Sequence, residues 1–350
     1  MRVLVTGGCG FLGANLSAAL LRRGVELSVV DALLRAGSRS NLDWLERQAA
    51  PGQLHHYANR VEDGDGVTDV FRRHGPFDWV AHLGGQVAMT TSMADPRLDF
   101  ATNAVGSFTI LEAARAVSPN AVLTFSSTNK VYGDLGHVRY AETATRYIAP
   151  DHPHGFDESL PLDFASPYGC SKGAADQYFR DWFRSFGMRT IVFRHSSIYG
   201  GRQFSTYDQG WVGWFCAKVI EQKRAAERGD AVESFAISGT GKQVRDVLHA
   251  EDLVRLYLSA FERADAVAGE VFNVGGGPGN SLSLIELFAM LSEILRIDGG
   301  LRYSRLARRH SDQDVFVADI RKANRLLGFS PHVSARDGIG EMVQWVGGLG

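Results

Sequence analysis

Short apolar, β-branched runs alternate with longer stretches whose apolar positions recur at helical spacing over roughly the first two hundred residues. The runs Arg2–Thr6, Glu26–Val30, Trp79–Leu83, Ala121–Ser126 and Arg189–Arg194 predict strands. Leu12–Arg23, Val67–His74, Asn103–Val117 and Pro167–Phe186 predict the helices between them. A strand can return parallel to its neighbour only through a crossover, so this alternation predicts a parallel sheet covered on both faces. After residue 195 the rhythm loosens. Helices are predicted at Trp211–Glu227, Ala250–Arg263 and Leu284–Leu295, with a strand at Phe235–Ser238. The expected fold class is α/β: a doubly wound parallel sheet with a smaller α/β substrate-binding part. The expected division gives residues 1–194 to the sheet domain, rejoined by about 235–258, and 195–234 with 259–350 to the smaller part. Residues 133–166 are irregular and rich in His, Asp and Pro. A connection that long inside a compact fold is usually functional, so a lid or an oligomer contact is expected there.

Composition narrows the function classes. The chain has 350 residues, 37 Lys+Arg against 39 Asp+Glu, and a formal net charge of -2. That balance excludes a dedicated nucleic-acid or anionic-membrane binder. No apolar run approaches the ~18 residues of a spanning helix. Met1 to Val5 runs straight into a strand rather than a signal stretch, and three widely spaced cysteines resemble neither a disulfide framework nor a zinc site. The expected compartment is the reducing cytoplasm. Glycine is in excess, at 39 residues, which points to turns that approach a ligand closely.

The first strand ends in Thr6-Gly7-Gly8-Cys9-Gly10-Phe11-Leu12-Gly13. Glycines there permit a tight turn and let backbone N–H groups reach a pyrophosphate at a helix N-terminus. Asp31 ends the next strand 18 residues after Gly13, the context that a dinucleotide fingerprint requires. Its carboxylate would accept from ribose hydroxyls and repel a 2′-phosphate, favouring NAD over NADP; Arg35 and Arg39 act in the other direction. Farther on, Tyr168-Gly169-Cys170-Ser171-Lys172 puts a phenol and an ammonium on one helix face. A nearby Lys charge and a nicotinamide cation would lower the phenol toward neutrality and make it a base. Thr128, at the carboxyl end of the preceding strand, can meet that tyrosine.

These blocks resemble the extended short-chain dehydrogenase/reductases that act on nucleotide-activated sugars, over nearly the whole chain. The resemblance is carried by Gly85 to Ser92, Ser126 to Leu135, Ser166 to Tyr178, Phe193 to Phe215 and Gly241 to Asp252. It implies bound NAD and epimerisation at C2 of a CDP-hexose. It implies that Thr128, Tyr168 and Lys172 are catalytic. Cofactor contacts would fall on Gly7, Gly10, Phe11, Leu12, Gly13, Asp31, Leu83, Gly84, Gly85, Asn103, Ser126, Tyr168, Lys172 and His195. Substrate contacts would fall on Gln86, Ser197, Gln203, Arg245 and Arg309, the two arginines facing the diphosphate. It also implies a homodimer or homotetramer in which helices 103–117 and 167–186 pair with their copies. Dehydratases in the family carry Thr-Asp-Glu where this chain has Thr128-Asn129-Lys130. Neither amide nor ammonium replaces that acid–base pair, so dehydration is not expected; a UDP-sugar 4-epimerase would need the same catalytic residues, and an inactive NAD-binding regulator would be expected to lose one. Two departures concern the adenine end: Asn59-Arg60 stands where relatives have Gly-Asp, with Asp63 the nearest acid, and Asp31-Ala32 replaces Asp-Asn.

Other residues read blandly. His137, His152 and His154 with Asp151 and Asp157 do not follow a metal-ligand spacing, so no metal is expected. Trp211, Trp214 and Phe215 lie at helical spacing and read as core before they read as a stacking platform.

Overall fold

The computed structural model describes residues 1–308 and 312–349. Its strands are β1 (Arg2–Thr6), β2 (Glu26–Val30), β3 (Leu54–Tyr57), β4 (Trp79–His82), β5 (Val122–Thr128), β6 (Ala141–Glu142), β7 (Tyr147–Ile148), β8 (Arg189–His195), β9 (Ser197–Tyr199), β10 (Phe235–Ser238), β11 (Val244–His249), β12 (Val271–Val274), β13 (Ser281–Ser283), β14 (Tyr303–Leu306) and β15 (Val315–Phe316). Seven of them form one parallel sheet in the order β12-β8-β5-β4-β1-β2-β3. The order reverses beside β1, and there the carboxyl ends of β1 and β4 part to make a crevice.

The inner strands β1 and β4 and the neighbouring β2 are buried at every residue but, at most, the first, and they are largely apolar. In β1, Val3 and Val5 enter the core under helices Phe11–Arg22 and Ala250–Glu262, while Leu4 enters the opposite core. That second core lies under helices Gly64–His74, Gly106–Val117 and Pro167–Phe186. A third core joins helices Trp211–Arg228, Leu284–Leu295 and Ala335–Gly347 beside the β13-β11-β15 sheet.

The division of the chain differs from the expected one at two strands. β12 adds to the edge of the large sheet, against β8, although residues 259–350 were expected in the smaller part. Phe235–Ser238 forms a strand as expected, but it pairs with β14 away from the large sheet. Partner choice depends on long-range burial, which four-residue runs do not encode.

Residues 133–166 are neither lid nor free loop; they are a strap packed on the chain's own surface. Leu135 and Phe156 are buried with Val315 to Ala318, because they bring apolar surface that the short β15 would otherwise leave exposed. The Phe156 N–H donates to the Val317 carbonyl at 2.7 Å. The β6–β7 hairpin is anchored by Arg146, which forks onto Glu286 at 2.5 and 2.7 Å. Asp151 pairs with Arg139 at 2.7 Å and His152 packs against the Phe156 ring, so this acid–histidine cluster is spent on local contacts.

A buried ion pair fixes the helix Pro167–Phe186 to the sheet. Arg194 on β8 donates to Asp176 through Nε at 2.9 Å and Nη2 at 2.8 Å, with 3% and 0% of the two side chains exposed. Ser127 donates to the same carboxylate at 2.7 Å, and Arg194 also donates to the Tyr132 hydroxyl at 2.9 Å. Removing one partner strands the other charge in a dry interior. Asp176→Ala is therefore expected to destabilise the protein by about 3–5 kcal/mol, measured as a lower midpoint in urea unfolding; a loss below about 1 kcal/mol would show the pair to be energetically idle.

Candidate active site

The crevice opens into a cavity of about 740 Å³ that runs from the glycine-rich turn to the third core. At its head the glycines are sterically required. Gly7 sits at φ 66°, and a Cβ there would lie 2.7 Å from the backbone of Gly84. A Cβ on Gly13 would lie 2.0 Å from the Gly7 carbonyl oxygen. Gly10 supplies no capping side chain to helix Phe11–Arg22, so the helix start is left open to an anion, and Gly7, Gly10, Phe11, Leu12 and Gly13 all line the cavity. Asp31 lines it too; its carboxylate accepts from the Cys9 N–H at 2.9 Å and the Leu33 N–H at 2.8 Å, which locks it beside the turn. The donor-rich turn, the helix start and a fixed acid fit a dinucleotide such as NAD.

The three expected catalytic residues converge at the middle of the cavity. Ser166 caps helix Pro167–Phe186 through the Gly169 N–H at 3.0 Å, and Pro167 starts the helix, so Tyr168 projects from its first turn. The Thr128 hydroxyl stands close enough to the Tyr168 phenol to act on its proton. Lys172, one turn on, is buried with its ammonium 4.2 Å from the centre of the Phe125 ring. The expected lowering of the Tyr168 phenol needs a nicotinamide cation as well as Lys172, and the protein's own groups act the other way. Burial pushes the phenol up to about 12, only partly offset by the Thr128 hydroxyl. Burial also holds Lys172 down to about 7, against the pull of Asp176 and Asp99. Desolvation of the charged form outweighs pairing here, a balance set by depth and not by spacing.

His195 lies between Ser126 and Tyr257, 3.2 Å from each hydroxyl, and burial followed by the Lys172 charge lowers it to about 3. Leu83, Gly84, Gly85 and Ser126 line the same wall. Asn103 and Lys172 stand just behind it: a Cβ on Gly85 would lie 2.7 Å from Asn103 Oδ1 and 3.8 Å from Lys172 Nζ. A π turn at Ala101–Val105 carries Asn103 inward, within the segment expected to be plain helix. Asn103 donates to Gln86 O, Asp99 Oδ1 and Ser171 Oγ, each at 3.1 Å, and Ser171 donates to Asp99 at 2.5 Å. Asp99 is completely buried, and burial raises its carboxyl despite that hydrogen bond. The sequence reading missed Asp99 and Ser171; the spacing of Asp99 four residues before Asn103 was the available signal.

The substrate-side residues are only partly free to contact a ligand. Gln86 lines the cavity, but its amide folds onto Ala88, donating to that carbonyl at 2.6 Å. Ser197 accepts from Trp211 Nε1 at 3.0 Å. Gln203 donates to Ile198 O at 3.3 Å while its amide oxygen has no partner among the described residues. Arg245 reaches the cavity wall and pairs with Asp312 at 2.6 Å, an acid that nothing in the sequence marked. Arg309 lies outside the described residues. Trp211, Trp214 and Phe215 all line the cavity; Phe215 is also core, in edge contact with Phe288. Asn129 lines the cavity and donates its amide to Gln313 at 3.0 Å, and Asp63 caps helix Gly64–His74 through the Gly66 N–H.

The same fold recurs in known proteins. The family model described as NAD dependent epimerase/dehydratase family matches residues 3–275. The CDP-paratose 2-epimerase of Salmonella typhi is 50% identical over 349 residues, covering 100% of both chains. The dTDP-glucose 4,6-dehydratase 1 of Escherichia coli K12 is 29% identical, over 99% of this chain and 92% of its own. Among solved structures, UDP-glucose 4-epimerase with UDP-glucose from Thermotoga maritima superposes with TM-score 0.81 at 29% identity, over 100% and 99% of the chains. With a glycine turn that admits only glycine and a Thr–Tyr–Lys centre at the sheet's crevice, the chain belongs to the NAD-dependent epimerase/dehydratase family.

Proposed function

We propose that this chain is a nucleotide-sugar epimerase that inverts C2 of a CDP-hexose while keeping NAD bound. The observation that carries the choice of substrate is the full-length 50% identity to an enzyme named for that reaction. The site chemistry supports it: positions 129 and 130 are Asn and Lys, and the Asn amide is spent on Gln313, so the carboxyl pair for elimination is missing there. Bound NAD supplies a reversible acceptor for the hydride of the sugar carbon. Tyr168 then has one task, to take and return the proton of the reacting hydroxyl, and the neighbouring Thr128 hydroxyl would share that proton. The neutral resting phenol stands beside a lysine whose charge is costly, so any added positive charge at the site draws the proton off Tyr168. Arg245 would hold the diphosphate, with Arg309 as the second anchor that the family resemblance implies, while the sugar turns to present its other face.

The protein is further proposed to be cytoplasmic and to form homo-oligomers. Its three cysteines are free, and no helix of the described residues is long and apolar enough to cross a membrane. Phe108, Tyr178, Phe183 and Phe186 are 39%, 44%, 38% and 49% exposed on helices Gly106–Val117 and Pro167–Phe186, a surface suited to a second copy.

Tyr168→Phe is expected to lower kcat by about 10²–10⁴-fold, with CDP-sugar affinity changed by less than about threefold, measured by calorimetry; near-wild-type turnover would remove the tyrosine from the mechanism. A CDP-hexose deuterated at C2 is expected to keep its label through many turnovers in ordinary water, followed by mass spectrometry. Label washing into solvent would mean proton abstraction from carbon, and inversion at C4 with C2 unchanged would select the 4-epimerase reading. Light scattering is expected to give a mass of at least two chains, which the Phe108→Glu/Tyr178→Glu double variant lowers to one; a wild-type monomer would overturn the pairing.

A further inference from the structure

At the amino ends of β2 and β3, opposite the crevice, the sheet register assembles three metal-ligating side chains that are remote in the sequence. β2 and β3 pair in parallel, with Ser28 opposite His55 and Val30 opposite Tyr57. Side chains alternate between the two faces along each strand. Val30 packs in the second core with Val67, Val70 and Phe71 of helix Gly64–His74, and Tyr57 packs against the same core. Glu26 and Ser28 share the face of Val30, and His55 shares that of Tyr57, so all of them lie on the side that this helix covers. The helix ends at His74, whose ring centre lies 4.5 Å from that of His55. One ligand atom each from Glu26, His55 and His74 lies within 4.8 Å of the others.

This is a donor set for a cation. In a tetrahedral site with bonds of about 2.0–2.1 Å, neighbouring ligand atoms stand roughly 3.4 Å apart, so small side-chain rotations close the three onto one ion. The Tyr57 hydroxyl meets His74 Nε2 and fixes the ring, as the outer hydrogen-bond partner of a metal-bound histidine does. The last turn of the helix presents its carbonyl ends, which favour positive charge. The nearby cations compete weakly. Arg2 Nε stands 3.5 Å from Glu26, with 48% and 45% of the two side chains exposed, a contact of small worth. Arg73 is engaged by Asp69 at 2.7 Å. We propose that Glu26, His55 and His74 bind a divalent transition cation of the zinc class, which ties β2 and the edge strand β3 to the end of the helix. Two imidazoles and a carboxylate suit Zn²⁺, with water in the fourth position. The expectation of no metal rested on spacing along the chain, and a set assembled by strand register leaves no such spacing.

The test is a Zn²⁺ titration of the full-length chain, stripped with a chelator that is then dialysed away, followed by calorimetry at pH 7.5. Wild type is expected to bind one Zn²⁺ per chain at this site. His55→Gln and His74→Gln are each expected to weaken that binding by more than about a hundredfold, and Glu26→Gln and Tyr57→Phe by about tenfold. Arg2→Gln, which frees the Glu26 carboxylate, is expected to tighten it by about threefold, a gain that damage to the fold cannot produce. Zn²⁺ at a hundred times its Kd is expected to raise the melting midpoint of wild type by about 5 °C and to leave that of the two histidine variants unmoved. Without Zn²⁺ all the chains are expected to melt together. A wild type that takes up no Zn²⁺, or histidine variants that bind it as tightly as wild type does, would overturn the site.

Discussion

The site depends on one buried charge pair. Asp176 and Arg194 bind the helix that carries Tyr168 and Lys172 to the strand next to Thr128, and Ser127 joins them from the Thr128 strand itself. The pair is also the first link of a longer chain. Arg194 donates to Tyr132, Tyr132 donates to Asn273 at 2.8 Å, and the Asn273 amide donates to Phe156 O at 2.8 Å. Helix, three sheet strands and strap thus share one hydrogen-bond network. A network of this kind adds little net stability, but every member is satisfied, so only one relative placement of Tyr168 and Thr128 is allowed.

Around that centre the dominant electrostatic effect is desolvation. His82, held between Thr6 and Ser107, and His195 are both lowered to about 3, by burial first and by Lys172 second. Two imidazoles held neutral and a lysine whose charge burial disfavours leave little positive charge immediately around Tyr168. Asp99 compensates from behind the wall, its carboxylate tied to Ser171 and Asn103 and pulling on the Lys172 charge. The proton affinity of the phenol thus depends on what enters the cavity, and the protein supplies an environment in which one added charge acts with little screening.

Much of this was legible in the sequence because it is local. Strand–helix alternation needs only periodicity, and the glycine turn with Asp31 needs only spacing. Tyr168 and Lys172 share a helix face by geometry, and Thr128 ends a strand. What was not legible is long-range or a matter of depth. β3 reads Leu-His-His-Tyr, too polar to stand out, and is a strand because it covers the sheet edge beside β2. β12 is four residues whose partner lies about eighty positions away. The direction in which Tyr168 titrates follows from burial, which no spacing reports. Gln86 was expected to contact substrate; it lies on the cavity wall, but its amide is taken up by Ala88, a contact made within the turn.

The strap has a consequence for how the enzyme comes into being. Asn129, next to Thr128, is held by Gln313; the strap closes on Val315 to Ala318; and Arg245 rests on Asp312. All three contacts join the middle of the chain to residues synthesised near its end. The glycine turn shares this dependence, since the core beneath it draws in Leu253, Leu256, Phe272 and Phe329. Neither end of the cavity is therefore complete until the last part of the chain has been made and has packed back onto the first.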